Sequence, residues 1–308
     1  MKIVLATIGA LIAFAANSLL CRMALAQGYI DPWHFTAIRL LSAAACLGLI
    51  MLIQRYLPIL LTVINRPKAA IPNRVNINVI NVDETGGWFS SLCLLIYALG
   101  FSVAYVALET GTGALILFCA VQFTMMGWGI YKKELLNPVQ WFAFIIAVAG
   151  FVYFLLPSAT TPSPLSALYM AVSGVAWGIY SIRGKACALP MQATGFNFIR
   201  SLVALPLLLL GAVSAHNIIS IEGILLACAS GALASALGYS LWYMTMPLLT
   251  NTQAAVVQLC VPIIAAVMGM IFLAEPLTLR FIITSAVIVG AILLFVVAQN
   301  TSKVPVSQ

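Results

Sequence analysis

Apolar residues run almost unbroken for about 18 to 25 positions at a time along this chain, and clusters of Pro, Gly, Asn and charged residues separate the runs. Ten runs are read this way, at about 3–26, 33–53, 88–108, 112–131, 139–156, 165–184, 194–214, 221–245, 252–273 and 277–298. The breaks include Gly28 to Pro32, Asn137-Pro138, Pro157 to Pro164, Thr250-Asn251 and Glu275-Pro276. Each run matches the roughly 20 residues of helix that cross a bilayer. Backbone groups in lipid must pair internally, so the runs predict helices. They are continuously apolar and about twice the length of a barrel strand, which excludes a β-barrel.

The sequence also repeats itself. Phe35-x-x-Ile38-Arg39 returns as Phe196-x-x-Ile199-Arg200, 161 positions later, and at the same offset Arg22 falls on Arg183. Ala98-Leu99-Gly100-Phe101-Ser102-x-x-Tyr105 matches Ala236-Leu237-Gly238-Tyr239-Ser240-x-x-Tyr243 at offset 138. Cys119 pairs with Cys260, Glu134 with Glu275 and Phe154 with Phe295 at offset 141. Matches in chain order at nearly equal offsets predict two repeats of five helices, residues 1–157 and 163–300, with a short tail at 301–308. Five is odd, so the second repeat enters from the opposite side of the membrane, an inverted topology that can present one site to either side. The expected fold class is an all-α membrane protein of ten helices.

The fall in offset from 161 to 138 places 23 additional residues in the first repeat, between its second and third helices. They fall in a loop of about 54–87, in which Leu57 to Ile64 is too short to span; a tolerated insertion is the expected reading. The first run resembles a signal peptide in outline, with Lys2, an apolar stretch and Ala13-Phe14-Ala15. The duplication needs it as a helix of the mature protein.

Composition sharpens the class. Only 7% of the 308 residues are charged and 63% are hydrophobic, too little charge to cover a soluble surface and too little for disorder. The formal net charge is +7. With the N-terminus inside, the inner segments hold Lys2, Arg55, Arg66, Lys68, Arg74, Lys132, Lys133, Arg183, Lys185 and Lys303, and Arg280 is the main outer exception. This predicts a multi-pass inner (plasma) membrane protein with both termini cytoplasmic. The positive charge is thereby explained without nucleic acid. The seven cysteines stand singly, with no metal-ligand spacing, and they read as small buried hydrophobes. No hydrolase, metalloprotease or phosphate-loop motif occurs, so no cofactor, metal or catalytic residue is expected.

Taken together, these residues resemble the drug/metabolite transporter superfamily in its ten-helix EamA-type branch. The resemblance rests on the duplicated Phe-x-x-x-Arg, on Ala-Leu-Gly-Tyr-Ser-Leu-Trp-Tyr at 236–243, and on Gln253-Ala-Ala-Val-Val-Gln258-Leu-x-x-Pro262. Ala274-Glu275-Pro276-Leu277 adds to it, with Gly111-Thr-Gly-Ala-Leu115 and Glu134 as first-repeat counterparts. It covers nearly the whole chain except the 54–87 loop. It implies an exporter or exchanger of small metabolites with a central cavity, and names no substrate. A passive channel or a structural membrane component is the alternative.

Polar groups within the membrane are the functional candidates, because their burial costs free energy. Depth matching suggests two ion pairs between the repeats, Arg39 with Glu275 and Arg200 with Glu134, one near each mouth, which would serve as gates or as helix-end anchors. Arg22 lies near the depth of Arg39 and needs an anion, either Glu109, Glu275 or a substrate carboxylate; Arg183 stands likewise beside Arg200. Asn17, Ser18, Gln122, Trp177, Tyr180, Tyr239, Tyr243 and Gln258 are the substrate-binding candidates, a set suited to an amphipathic or aromatic solute. All seven acids and both histidines sit in loops or at helix ends, which argues against a proton relay unless Glu109, Glu134 or Glu275 is drawn inward. The expected partners are a small-molecule substrate and the lipid bilayer, with the chain acting as a monomer or homodimer.

Overall fold

The computed structural model describes residues 2–64, 86–132, 136–156, 162–185, 187, 189–214, 219–245 and 257–301. The helices are α1 (Lys2–Ala26), α2 (Pro32–Ile64), α3 (Trp88–Tyr105), α4 (Thr110–Tyr131), α5 (Pro138–Leu155) and α6 (Pro164–Lys185). A further span is built from α7 (Pro190–Ser201), a 3₁₀ turn (Leu202–Ala204) and α8 (Leu205–Ser214). The next comprises α9 (Ile221–Ala229), a π-helical segment (Ser230–Leu237) and α10 (Gly238–Thr245), followed by α11 (Cys260–Leu273) and α12 (Leu279–Thr301). Among the described residues nine helical segments are long and apolar enough to cross a membrane, and Cys260–Leu273 is a shorter apolar helix. The chain is an all-α membrane protein. Its predicted ninth span, 252–273, lies partly outside the described residues.

Local chemistry sets the helix ends. The Asp31 carboxylate accepts the backbone N–H of Trp33 at 2.9 Å and of His34 at 3.1 Å, starting α2. Asn137 and Gln140 form a reciprocal capping box at α5, and the Ser220 hydroxyl accepts from Gly223 N–H at α9. Helix α11 ends on Ala274 in the left-handed region (φ 52°), so the chain folds back and Glu275 N–H donates to Gly269 O at 3.2 Å.

One expected loop is partly helix. Residues 54–64 continue α2 to Ile64 instead of opening the 54–87 insertion. The apolar piece Leu57 to Ile64 is too short to span alone but long enough to prolong a helix already nucleated. At about 1.5 Å per residue the 33-residue α2 is roughly 50 Å long, beyond the hydrocarbon thickness. The rest of that loop, 65–85, is outside the described residues.

Helix α3 packs antiparallel on α6, α4 runs along α6, and α5 pairs with α12. Helix α1 packs on the α9–π–α10 span and on α11, while α2 lies against the π segment and against α7 and α8. Gly174-Val-Ala-Trp-Gly178 lets α6 approach α4 closely: a Cβ on Gly174 would sit 2.6 Å from the Leu117 carbonyl oxygen. Large apolar side chains such as Leu207, Leu210, Phe142 and Ile145 face outward, as lipid requires. The seven cysteines are free, and Cys260 is exposed on this outer surface instead of buried.

Candidate functional site

Three polar assemblies and a ring cluster emerge from this packing. The first lies at the end of the bundle where α1 and α3 finish, here the distal end. Arg22 Nε is 3.2 Å from Glu275 Oε1, and Arg22 Nη1 donates to Tyr105 O at 3.0 Å and Val106 O at 2.8 Å. The cation thus sits on the negative end of α3. Glu275 Oε2 accepts Thr110 N–H at 2.8 Å, so the same carboxylate rests on the positive end of α4. One ion pair therefore ties α1, α3, α4 and the α11–α12 turn together. Glu109 lines an open cleft beside it with Thr112, Pro276 and Phe281. Burial and the neighbouring Glu275 carboxylate push the Glu109 carboxyl above its ordinary range, against the opposing pull of Arg22.

The expected partner of Glu275 was Arg39, and the structure differs. Arg39 lies deeper, 1% exposed, and meets no carboxylate among the described residues. Its Nη2 donates to the Tyr97 hydroxyl at 2.9 Å, and its guanidinium carbon stands 5.2 Å from the Tyr97 ring centroid and 5.0 Å from that of Phe101. The Nε and Nη1 atoms are buried without a hydrogen-bond partner among the described residues. Asn17 Nδ2 also donates to the Tyr97 hydroxyl, at 3.2 Å, and Asn17 Oδ1 accepts from Ser230 at 2.7 Å. A continuous polar chain therefore runs from α2 through α3 and α1 to the first residue of the π segment, a geometry often found at functional sites.

Aromatic rings enclose this chain. Trp177 is 4.8 Å from Tyr97 and stacks with Tyr239 (5.1 Å, 19°) and Tyr180 (5.3 Å, 21°), while Tyr239 also touches Phe14 and Phe198. The structure thus gathers Asn17, Trp177, Tyr180 and Tyr239 as one group. Ser18 and Gln122 are buried, and Gln122 Nε2 has no hydrogen-bond partner among the described residues. Gln258 is half-buried just before α11. The side chain of Tyr243 and the whole of Glu134 lie outside the described residues, so the Arg200–Glu134 pair does too; Arg200 is half-buried.

At the opposite end, Arg183 donates from Nε to Ser90 Oγ at 3.0 Å and lies over the Phe89 ring. Arg22 and Arg183, 161 positions apart, therefore clasp the two ends of α3. Nearby, Asn197 Oδ1 accepts from Gly87 N–H at 3.1 Å and from Ser91 at 3.3 Å, and its Nδ2 donates to Tyr180 at 3.4 Å.

Tyr97 is the residue sequence reasoning missed. A duplication search finds matched pairs, and the counterpart of Tyr97 at offset 138 is Ser235, so no match marked it. Asn197 was passed over for the same reason, since its counterpart at offset 161 is Thr36. A tyrosine near the middle of an apolar run was the available signal.

Residues 164–297 match the EamA-like transporter family. An uncharacterized protein of Pseudomonas aeruginosa is 41% identical over 295 residues, covering 95% of this chain and 94% of the relative. A solved protein crystal structure superposes with a TM-score of 0.56 over 96% of this chain and 98% of the other, at 17% identity, a likeness of fold.

Proposed function

The chain belongs to the EamA-like transporter family, and we propose from that premise that it is a secondary transporter moving small organic metabolites by alternating access between two inverted five-helix repeats. The family makes it a multi-pass membrane transporter of the drug/metabolite type, a non-enzyme in general character.

One observation supports the alternating-access reading above the others. Contacts between the halves come in exchanged pairs. Helix α3 on α6 has its counterpart in the α9–π–α10 span on α1; α4 on α6 has its counterpart in α11 on α1. Helix α2 on α9 and the π segment has its counterpart in α3 on α7, while α5 with α12, α4 with α11 and α2 with α7 and α8 join equivalent elements to each other. Such packing is what two interconvertible halves around a shared site require. The equivalents are not identical in environment: Arg39 is fully buried and Arg200 half-buried. That asymmetry, with the Arg22–Glu275 tie, reads as a state closed at the distal end. The loop charges support both termini in the cytoplasm of a cell with the protein in its inner membrane, and net export by uniport or exchange.

Counterflow in proteoliposomes loaded with a defined mixture of amino acids and organic acids tests this. Saturable efflux accelerated by solute on the opposite side is the expected result. Unsaturable flux without that acceleration would mean a channel, and no flux a structural component.

A further inference from the structure

Arg39 is a buried cation that, among the described residues, has neither a carboxylate beside it nor a full set of acceptors. A charge taken out of water is tolerated where a partner compensates it. Among the described residues the one hydrogen-bond acceptor on the guanidinium is the Tyr97 hydroxyl, which also receives Asn17 Nδ2. The ring faces of Tyr97 and Phe101 supply cation–π contact, leaving Nε and Nη1 without partners among the described residues. With Asn17 oriented as it is, the Tyr97 hydrogen finds no acceptor among the described residues either. The neighbourhood is rich in donors and short of one acceptor. We propose that Arg39, oriented by Tyr97, is the anion-recognising group of the transport site, and that the substrate is a monocarboxylate with an aromatic or apolar body.

The charge count selects a monoanion. Arg22, the neighbouring cation on α1, is committed to Glu275 at 3.2 Å, so among the described residues the site offers one uncompensated positive charge. A phosphate dianion would remain half neutralised there. A carboxylate matches the guanidinium in charge and in planar geometry. The rest of the enclosure selects the body of the ligand. The Tyr97, Trp177 and Tyr239 rings pack on one another in series with centroids 4.8 and 5.1 Å apart, so the surroundings are aromatic and apolar with few polar groups. A neutral sugar would lose its water without replacement there. A cation would face Arg39.

This inference rests on the transporter reading above and is tested separately from it. The purified full chain is titrated with phenylacetate, its neutral isostere phenylacetamide and the cation phenethylamine, reading tryptophan fluorescence and calorimetry. The acid binds at least about tenfold tighter than the amide, and the amine does not bind. Trp177→Phe abolishes the fluorescence change on phenylacetate while calorimetric binding persists, placing the ligand on that ring. Arg39→Gln equalises acid and amide. Arg39→Lys, which keeps the charge where Gln prevents folding, weakens the acid by about tenfold because the planar fork is lost. Equal binding of acid and amide by the natural protein, no binding of any of the three, or unchanged acid preference in a folded Arg39→Lys or Arg39→Gln protein overturns the assignment. Saturable flux of neutral solutes with no acid preference likewise overturns it, while leaving the transporter reading. Arg39-dependent acid binding without saturable flux keeps the site and removes that reading.

Discussion

Arg22 Nε and Glu275 Oε1 meet at 3.2 Å across 253 positions of sequence, and through this pair α1 is fastened to the turn between α11 and α12. Each partner also neutralises a helix end, Arg22 the C-terminus of α3 and Glu275 the N-terminus of α4. Both side chains are largely sheltered, so the pair is screened less than a surface bridge.

Removing either partner leaves the other poorly solvated. Arg22→Ala or Glu275→Gln is expected to lower stability by about 1.5–3 kcal/mol, the range for hydrogen bonds to charged groups. Thermal unfolding in detergent measures it. The double exchange Arg22→Glu with Glu275→Arg should recover little, because each new charge then faces the wrong helix end. Full recovery would show that the helix termini contribute nothing.

Glu109 gives a pH dependence with a defined sign. Its carboxyl is held above the ordinary 4.5 in the fold, chiefly by burial. A carboxyl with a raised folded pKa contributes stability below its unfolded pKa and loses it as pH rises through the folded value. Glu109→Gln should therefore be more thermostable than the natural protein at pH 7–8, with the difference shrinking toward pH 4. Melting temperatures across that range check it; a difference that grows on acidification contradicts the environment described.

Tyr97→Phe removes one oxygen that accepts from both Arg39 and Asn17. The loss leaves two buried donors short of a partner, at a cost of about 1–3 kcal/mol. Denaturation of the variant in detergent micelles reads this directly, and a neutral substitution would contradict the hub role of Tyr97.

Gly174→Ala forces a Cβ to within 2.6 Å of the Leu117 carbonyl oxygen, which is backbone and cannot rotate away. Separation of α6 from α4 should cost about 1–3 kcal/mol. Gly127→Ala on α4, where nothing lies within 4 Å of the added atom, should be neutral or gain up to about 1 kcal/mol of helix propensity. Comparing their melting temperatures separates close packing from a general intolerance of side chains.

The length and apolarity of each run are local properties, and lipid allows them one main outcome, so the sequence by itself determined the membrane class and, for most of the described helices, their bounds to within a few residues. Where α2 ends was harder to read, because Leu57 to Ile64 is too short to span yet prolongs a helix already formed. Which groups meet depends instead on helix rotation, about 100° per residue, and on the angle at which each turn returns the chain. Arg22 and Arg39 lie at similar depths in sequence terms, and only the left-handed Ala274 and the approach of α4 decided that Glu275 faces Arg22. The same rotation left Arg39 among rings, with no carboxylate beside it among the described residues, and made Tyr97, unmatched in the repeat, the centre of the polar chain. A sum of many contacts between distant helices fixes those angles, and no single segment of the chain contains it.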